Sequence, residues 1–145
     1  MTGRLRELAI EDYDRVLALW QRSDGIVLRE VDEREPIRRY LERNPGLSFV
    51  WEDDRTIAGA VLCGTDGRRG YLQHLAVAEE HRRRGIGRAL VAASLRALAG
   101  RGIEKCHLMV LPANMAAREF WRGLGWAERG DVVVMSYTSS DHPGA

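Results

Sequence analysis

One lysine, Lys105, stands among the 22 basic residues of this chain, which also has only two cysteines, a net charge of +1 and no long apolar run. Each shortage removes a class of function. A Walker phosphate loop ends on Gly-Lys followed by Ser or Thr, and Lys105 lies outside the glycine-rich stretch described below, so that loop is excluded. Cys63 and Cys106 both fall in apolar strand patterns, where a small buried thiol is commoner than a disulfide and fits a reducing cytosol. No apolar stretch approaches the ~20 residues of a membrane span. Met1 to Arg4 leads into a strand pattern rather than a signal segment, so a cytoplasmic chain that stays off the membrane is expected. A charge balance near zero argues against a general nucleic-acid binder, which needs a basic excess spread over a face. His107 and His142 are isolated, and no spacing of Cys, His and carboxylates suggests a metal site.

What remains is the composition of a globular protein. A chain of 145 residues, 45% hydrophobic and 30% charged, is long enough for one core, and a single domain over residues 1–138 with a frayed tail over 139–145 is expected. The pattern predicts a strand over Leu5 to Leu8, then a helix opened by Glu11, Asp12 and Asp14 with Val16, Leu17, Leu19 and Trp20 on its apolar side. Ser23 to Asp32 reads as a loop and Glu33 to Arg43 as a second helix, closed by Asn44-Pro45-Gly46. A hairpin follows, Leu47 to Trp51 and Thr56 to Cys63, then a central strand over Gly70 to Val77. Ala89 to Gly100 is rich in helix formers. Lys105 to Leu111 reads as a strand stopped by Pro112, a further helix follows Asn114, and Trp126 to Arg129 and Val132 to Tyr137 are expected to close the sheet. This alternation predicts an α/β protein.

The most informative stretch joins the central strand to the helix after it: Val77-Ala78-Glu79-Glu80-His81-Arg82-Arg83-Arg84-Gly85-Ile86-Gly87-Arg88-Ala89-Leu90. Glycine admits backbone conformations closed to other residues and lets a ligand approach without a Cβ in the way. The free N–H groups of a helix start, with about half a positive charge from the dipole, favour phosphate there. A dinucleotide fingerprint needs a third glycine where Leu90 stands. What is left, Arg82-x-x-Gly85-x-Gly87 after an apolar strand, resembles the acyl-CoA pyrophosphate loop of the GNAT N-acetyltransferase superfamily.

A second stretch carries the same resemblance. Asn114, Ala117, Phe120, Gly125 and Trp126 match in register the family pattern Asn-x-x-Ala-x-x-apolar-Tyr-x-x-x-Gly-aromatic. Leu19-Trp20-Gln21-Arg22 and Cys63-Gly64-Thr65-Asp66-Gly67-Arg68-Arg69-Gly70 look like the bacterial YpeA-like branch. The resemblance implies the GNAT fold: a mixed, mostly antiparallel sheet of six or seven strands flanked by about four helices. Its fourth and fifth strands, here Tyr71 to Val77 and Lys105 to Leu111, are parallel and splayed so that a pantetheine arm lies between them.

The resemblance also implies transfer of an acetyl group from acetyl-CoA to an amine, with no metal. Backbone amides from Arg83 to Arg88 would hold the pyrophosphate. Arg82, Arg83, Arg84, Gly85, Ile86, Gly87, Arg88 and Ala89 form the donor loop, and main-chain groups of Leu75, Ala76 and Val77 would pair with the pantetheine amides. Asn114, Ala117, Phe120 and Trp121 would border the same ligand, although helix capping is the duty Asn114's position alone suggests. The family's usual tyrosine acid is replaced by Trp121, with Tyr13 and Tyr137 as substitutes. Tyr71 and Met109 stand where relatives carry a glutamate base. His74 on the central strand is the candidate base, weighed against a hydrogen-bonded core histidine. Asp24, Glu30 and Asp32 in the Ser23 to Asp32 loop would attract a cationic acceptor. An acyl-CoA-binding module without turnover is the alternative, and monomer or homodimer are both compatible.

Overall fold

Every element is placed by one five-stranded sheet whose two faces bury different helices. The computed structural model describes residues 3–140. Strand β1 (Arg4–Glu7) leads through a 3₁₀ turn at Ile10–Asp12 into α1 (Tyr13–Gln21). A second 3₁₀ turn at Glu30–Asp32 precedes α2 (Arg34–Arg43). Strands β2 (Phe49–Asp53), β3 (Thr56–Thr65) and β4 (Gly70–Val77) follow, then α3 (Ile86–Ala99), β5 (Cys106–His107) and α4 (Met115–Gly123). The sheet order is β1-β2-β3-β4-β5, antiparallel throughout except for the parallel pair β4 and β5.

The apolar side of α1 read from the sequence is the side that is buried. Val16, Leu19 and Trp20 pack with Ile37 of α2 against Val50, Ala60, Leu62 and Ala76 of the sheet. On the other face Ile86, Leu90, Val91 and Leu98 of α3 pack against Ala58, Val61, Cys63 and Leu72. Burying a large aliphatic side chain is worth about 1.5–3 kcal/mol each, so these two layers carry the fold. Two of the polar groups caught inside are bonded across elements: Ser94 Oγ donates to the Leu47 carbonyl at 2.7 Å, and Asn44 Oδ1 accepts from the Thr65 amide at 3.1 Å.

Four expectations are corrected. Among the described residues the sheet has five strands rather than six or seven. The fifth strand is expected over Lys105 to Leu111, but only Cys106 and His107 pair with β4, at Gly70 and Tyr71. Beyond them the segment pairs no further with β4. Trp126 to Arg129 and Val132 to Tyr137 form no strand. A strand exists only through a neighbour in register, and β5 leaves the sheet too early to offer them an edge. Val132-Val133-Val134-Met135 is also apolar without alternation, so it has no inward face to direct its folding, and these side chains are exposed. α3 starts three residues earlier than its composition suggests, immediately after Gly85. His142 and the rest of 141–145 lie outside the described residues.

Candidate functional site

The site is built around an irregularity in β4. Leu62 of β3 stands opposite Gln73, and Ala60 stands opposite Ala76, so three steps on β4 match two on β3. This is a bulge with one extra residue, and it changes which side chains face which layer. Leu72 and Leu75 both belong to the α3 layer, whereas Ala76 belongs to the α1 layer. His74 lies inside the bulge at φ 53°, a conformation uncommon for a histidine. Its ring meets the edge of Trp20 at 5.0 Å between centroids, and its Nε2 lies 2.9 Å from Asp32 Oδ1.

Asp32 therefore does not face solvent as a lure for a cation. It is 7% exposed. Its second oxygen accepts the Arg29 amide at 3.0 Å, and its backbone carbonyl accepts the Tyr13 hydroxyl at 2.6 Å. Burial acts to raise its pKa, but the His74 ring and the Arg29 amide outweigh it and hold the carboxyl below the ordinary carboxylate value. Tyr13 is buried, and burial together with Asp32 and neighbouring carboxylates pushes its phenol up. Its hydroxyl is committed to the loop, which removes it as a substitute acid. Tyr137 is 92% exposed.

The second part of the site is the edge of β4. With β5 paired only at its first two residues, the strand from Leu72 to Val77 has no ladder partner on that side. An extended ligand can hydrogen-bond along such an edge as an added strand. Leu75 and Val77 pack partly into the α3 layer and Ala76 is buried, so their main chain rather than their side chains is what the edge presents.

The edge runs into the third part, the start of α3. Gly85 caps that helix at φ 78°, with no side-chain cap and with no atom within 4 Å of where a Cβ would stand. Arg83 is also left-handed, at φ 66°. Ala89 makes the first helical bond, its amide donating to the Gly85 carbonyl at 3.0 Å. The amides of Ile86, Gly87 and Arg88 precede that bond, as the first turn of any helix requires. Ile86 buries its side chain. Arg82, Arg83 and Arg88 are exposed, and Arg82 Nε donates to the Val77 carbonyl at 3.2 Å. Arg84 turns to Asp53 at 3.5 Å, which His81 also meets at 3.4 Å. This anchoring of the loop to the end of β2 carries no sequence signal.

The second motif meets the loop through Phe120. A Cβ on Gly87 would lie 3.3 Å from the Phe120 ring and 3.6 Å from Val77, so α4, α3 and β4 meet closely at this glycine. Trp121 stacks edge-on with Phe120 and Trp126, at 5.2 and 5.0 Å between centroids, and leans on the α3 layer. Asn114 caps α4, its Oδ1 accepting the Ala117 amide at 3.1 Å, and its Nδ2 lies against Gly25 of the loop after α1, where a Cβ would come within 2.6 Å. Asn114→Ala should therefore weaken α4 by about 1 kcal/mol. Amide hydrogen exchange in that helix should speed up about fivefold while the core is unaffected.

The fold and site define an α/β class in which a split parallel strand pair opens beside a glycine-capped helix start. The chain belongs to the acetyltransferase (GNAT) family, whose model matches residues 5–126. An acetyltransferase of Pectobacterium atrosepticum is 39% identical over 126 residues, covering 86% of this chain and 87% of that protein. One from Sodalis glossinidius is 32% identical over 132 residues, covering 90% and 92%. Among solved structures, Ard1 from Thermoplasma volcanium superposes with a TM-score of 0.76 at 22% identity, over 88% of this chain and 84% of that one. The PaiA N-acetyltransferase from Thermoplasma acidophilum, in complex with coenzyme A, gives 0.76 at 21% identity, over 86% and 89%. The chain is thus an enzyme of the acyltransferase class. Among the described residues no helix is long and apolar enough to cross a membrane.

Proposed function

We propose that this enzyme transfers the acetyl group of acetyl-CoA to a primary amine of a small molecule or peptide, by direct attack within a ternary complex in the cytoplasm. The reading rests on one observation above the others: the unpartnered edge of β4 from Leu72 to Val77 runs directly to the left-handed cap of α3 at Gly85. Pantetheine amides pair along that edge at Leu75, Ala76 and Val77. The pyrophosphate lies on the amides of the Arg83 to Arg88 loop, helped by the helix dipole and the exposed Arg82, Arg83 and Arg88. Phe120 and Trp121, with Asn114 and Ala117 at the start of their helix, border the donor from the α4 side.

An ammonium has no lone pair, so His74 first takes a proton from it. The neutral amine attacks the thioester carbon, a C–N bond forms and the C–S bond breaks. The departing thiolate takes the second amine proton through water. Trp121, packed between Phe120 and Trp126, supplies no acid, and the thiolate leaves without a tyrosine donor. That same packing favours the second reading, a catalytically weak acyl-CoA-binding module.

Release of CoA thiol, measured across a panel of small amines and peptide amines, separates the two. Turnover with at least one acceptor is expected; tight acetyl-CoA binding with no turnover on any would leave the binding module. His74→Gln is expected to lower kcat about 10²-fold with acetyl-CoA affinity within twofold of the parent.

A further inference from the structure

The partner of His74 belongs to an element the reaction has so far not used. Asp32 sits 42 positions away, in the 3₁₀ turn before α2, and is fixed from every side. One carboxylate oxygen meets His74 Nε2 at 2.9 Å and the other accepts the Arg29 amide at 3.0 Å. The Asp32 amide donates to the Arg29 carbonyl at 2.9 Å, and the Tyr13 hydroxyl clamps the Asp32 carbonyl at 2.6 Å. On its other flank the imidazole rests against Trp20, itself 1% exposed. The His74 side chain keeps 20% of its surface exposed. A left-handed backbone at a histidine persists only where its surroundings over-determine it, and these contacts supply that determination.

We propose that Asp32 is a positioning residue of the transfer reaction, its carboxylate holding His74 as the Nε2–H tautomer so that Nδ1 is the nitrogen that accepts the amine proton. This rests on the reading of His74 as the base. The carboxylate accepts the Nε2 proton in the resting enzyme and stabilises the imidazolium formed when Nδ1 is protonated, remaining ionised throughout. The charged and titratable groups around the pair are Asp32 itself, Arg29 and the Tyr13 phenol; Trp20 contributes an apolar wall. An aspartate placed only to cap its turn would need the Arg29 amide alone. Here the second oxygen is spent on the imidazole.

The test combines Asp32→Asn, His74→Gln and the double variant, in the full chain, with the acceptor that the amine panel yields. Asp32→Asn should lower kcat about 10²-fold while the KM for acetyl-CoA stays within twofold. The double variant should be no slower than His74→Gln alone, because Asp32 acts through the ring. Nitrogen-15 NMR of the unmodified protein at neutral pH should show His74 protonated at Nε2, a readout that needs no variant to fold. In Asp32→Asn that tautomer should lose its dominance. If His74→Gln leaves kcat unchanged, the base assignment fails and this role falls with it. If His74→Gln is slow but Asp32→Asn is not, or the two losses multiply, or the parent ring carries its proton on Nδ1, the positioning role alone is overturned.

Discussion

Replacing Gly85 by valine is expected to weaken acetyl-CoA binding at least 100-fold, about 2.8 kcal/mol, in a protein that still folds. The residue holds φ at 78°, where an L side chain costs roughly 1–2 kcal/mol and a β-branched one more. Nothing stands within 4 Å of a Cβ at this position, so no clash forces the domain apart. The loop has two responses. It can keep its shape and put two methyl groups into the open space where we propose the pyrophosphate lies, or it can relax to negative φ and turn the amides of the first α3 turn away. Either outcome removes the anion cradle. Isothermal titration with acetyl-CoA reads the effect, with a thermal melt within a few degrees of the parent as the check on folding. An unchanged affinity in a folded variant would remove the loop from the donor site.

Asp12→Ala should be the largest loss of stability outside the hydrophobic layers, about 3 kcal/mol or a fall in Tm of roughly 10 °C. Asp12 is 3% exposed. It accepts two bonds from Arg6, at 2.9 and 2.8 Å, one from Arg15 at 2.8 Å, and one from the Ala9 amide at 2.9 Å. Removing it strands the Ala9 amide and leaves Arg6 with Glu52 as its remaining carboxylate, at 3.1 Å. Burial raises the Asp12 pKa, but the Arg6 bonds and the Ala9 amide outweigh it, so the folded value lies below the ordinary 3.8. A depressed carboxylate contributes stability that is complete above its unfolded pKa and is lost as pH falls through the folded one. The parent should therefore lose stability steeply below about pH 4, and Asp12→Ala less steeply. Denaturant melts at pH 7 and pH 3 measure both; equal losses at the two pH values would show that the carboxylate's charge is not what stabilises this corner.

How much of this was legible in the chain depends on how local the physics is. That a helix follows the glycine loop is legible from neighbours within a few positions, an apolar strand ending, two glycines, then helix formers, although it starts at Ile86 rather than at Ala89. The alternation of elements and the apolar side of α1 are read in the same way, because periodicity is a property of consecutive residues. Cys63 and Cys106 are reduced thiols, and burial raises both, Cys63 to about 12 and Cys106 to about 11. They behave as the small apolar residues that their strand patterns imply. The capping duty of Asn114 was also visible from its place before a helix.

The rest needed the third dimension. No pattern in Ser23 to Asp32 marks Asp32 off from Asp24 or Glu30, since its role comes from a bulge in β4 that turns His74 toward it across 42 positions. The pattern at Trp126 to Arg129 and Val132 to Tyr137 reads as strand, yet pairing is decided by whether a neighbouring edge exists, and β5 ends after two residues. Gly87 looks like a loop glycine, but the ring of Phe120 from α4 packs close against it. The sequence by itself determined the family, the element order as far as α4 and the glycine-rich loop at a helix start that we propose receives the donor, because glycine placement and periodicity act between near neighbours. The tertiary structure alone decided the length of the sheet, the early end of β5 and the partner of His74, because register and side-chain pairing are relations between residues that only packing brings together.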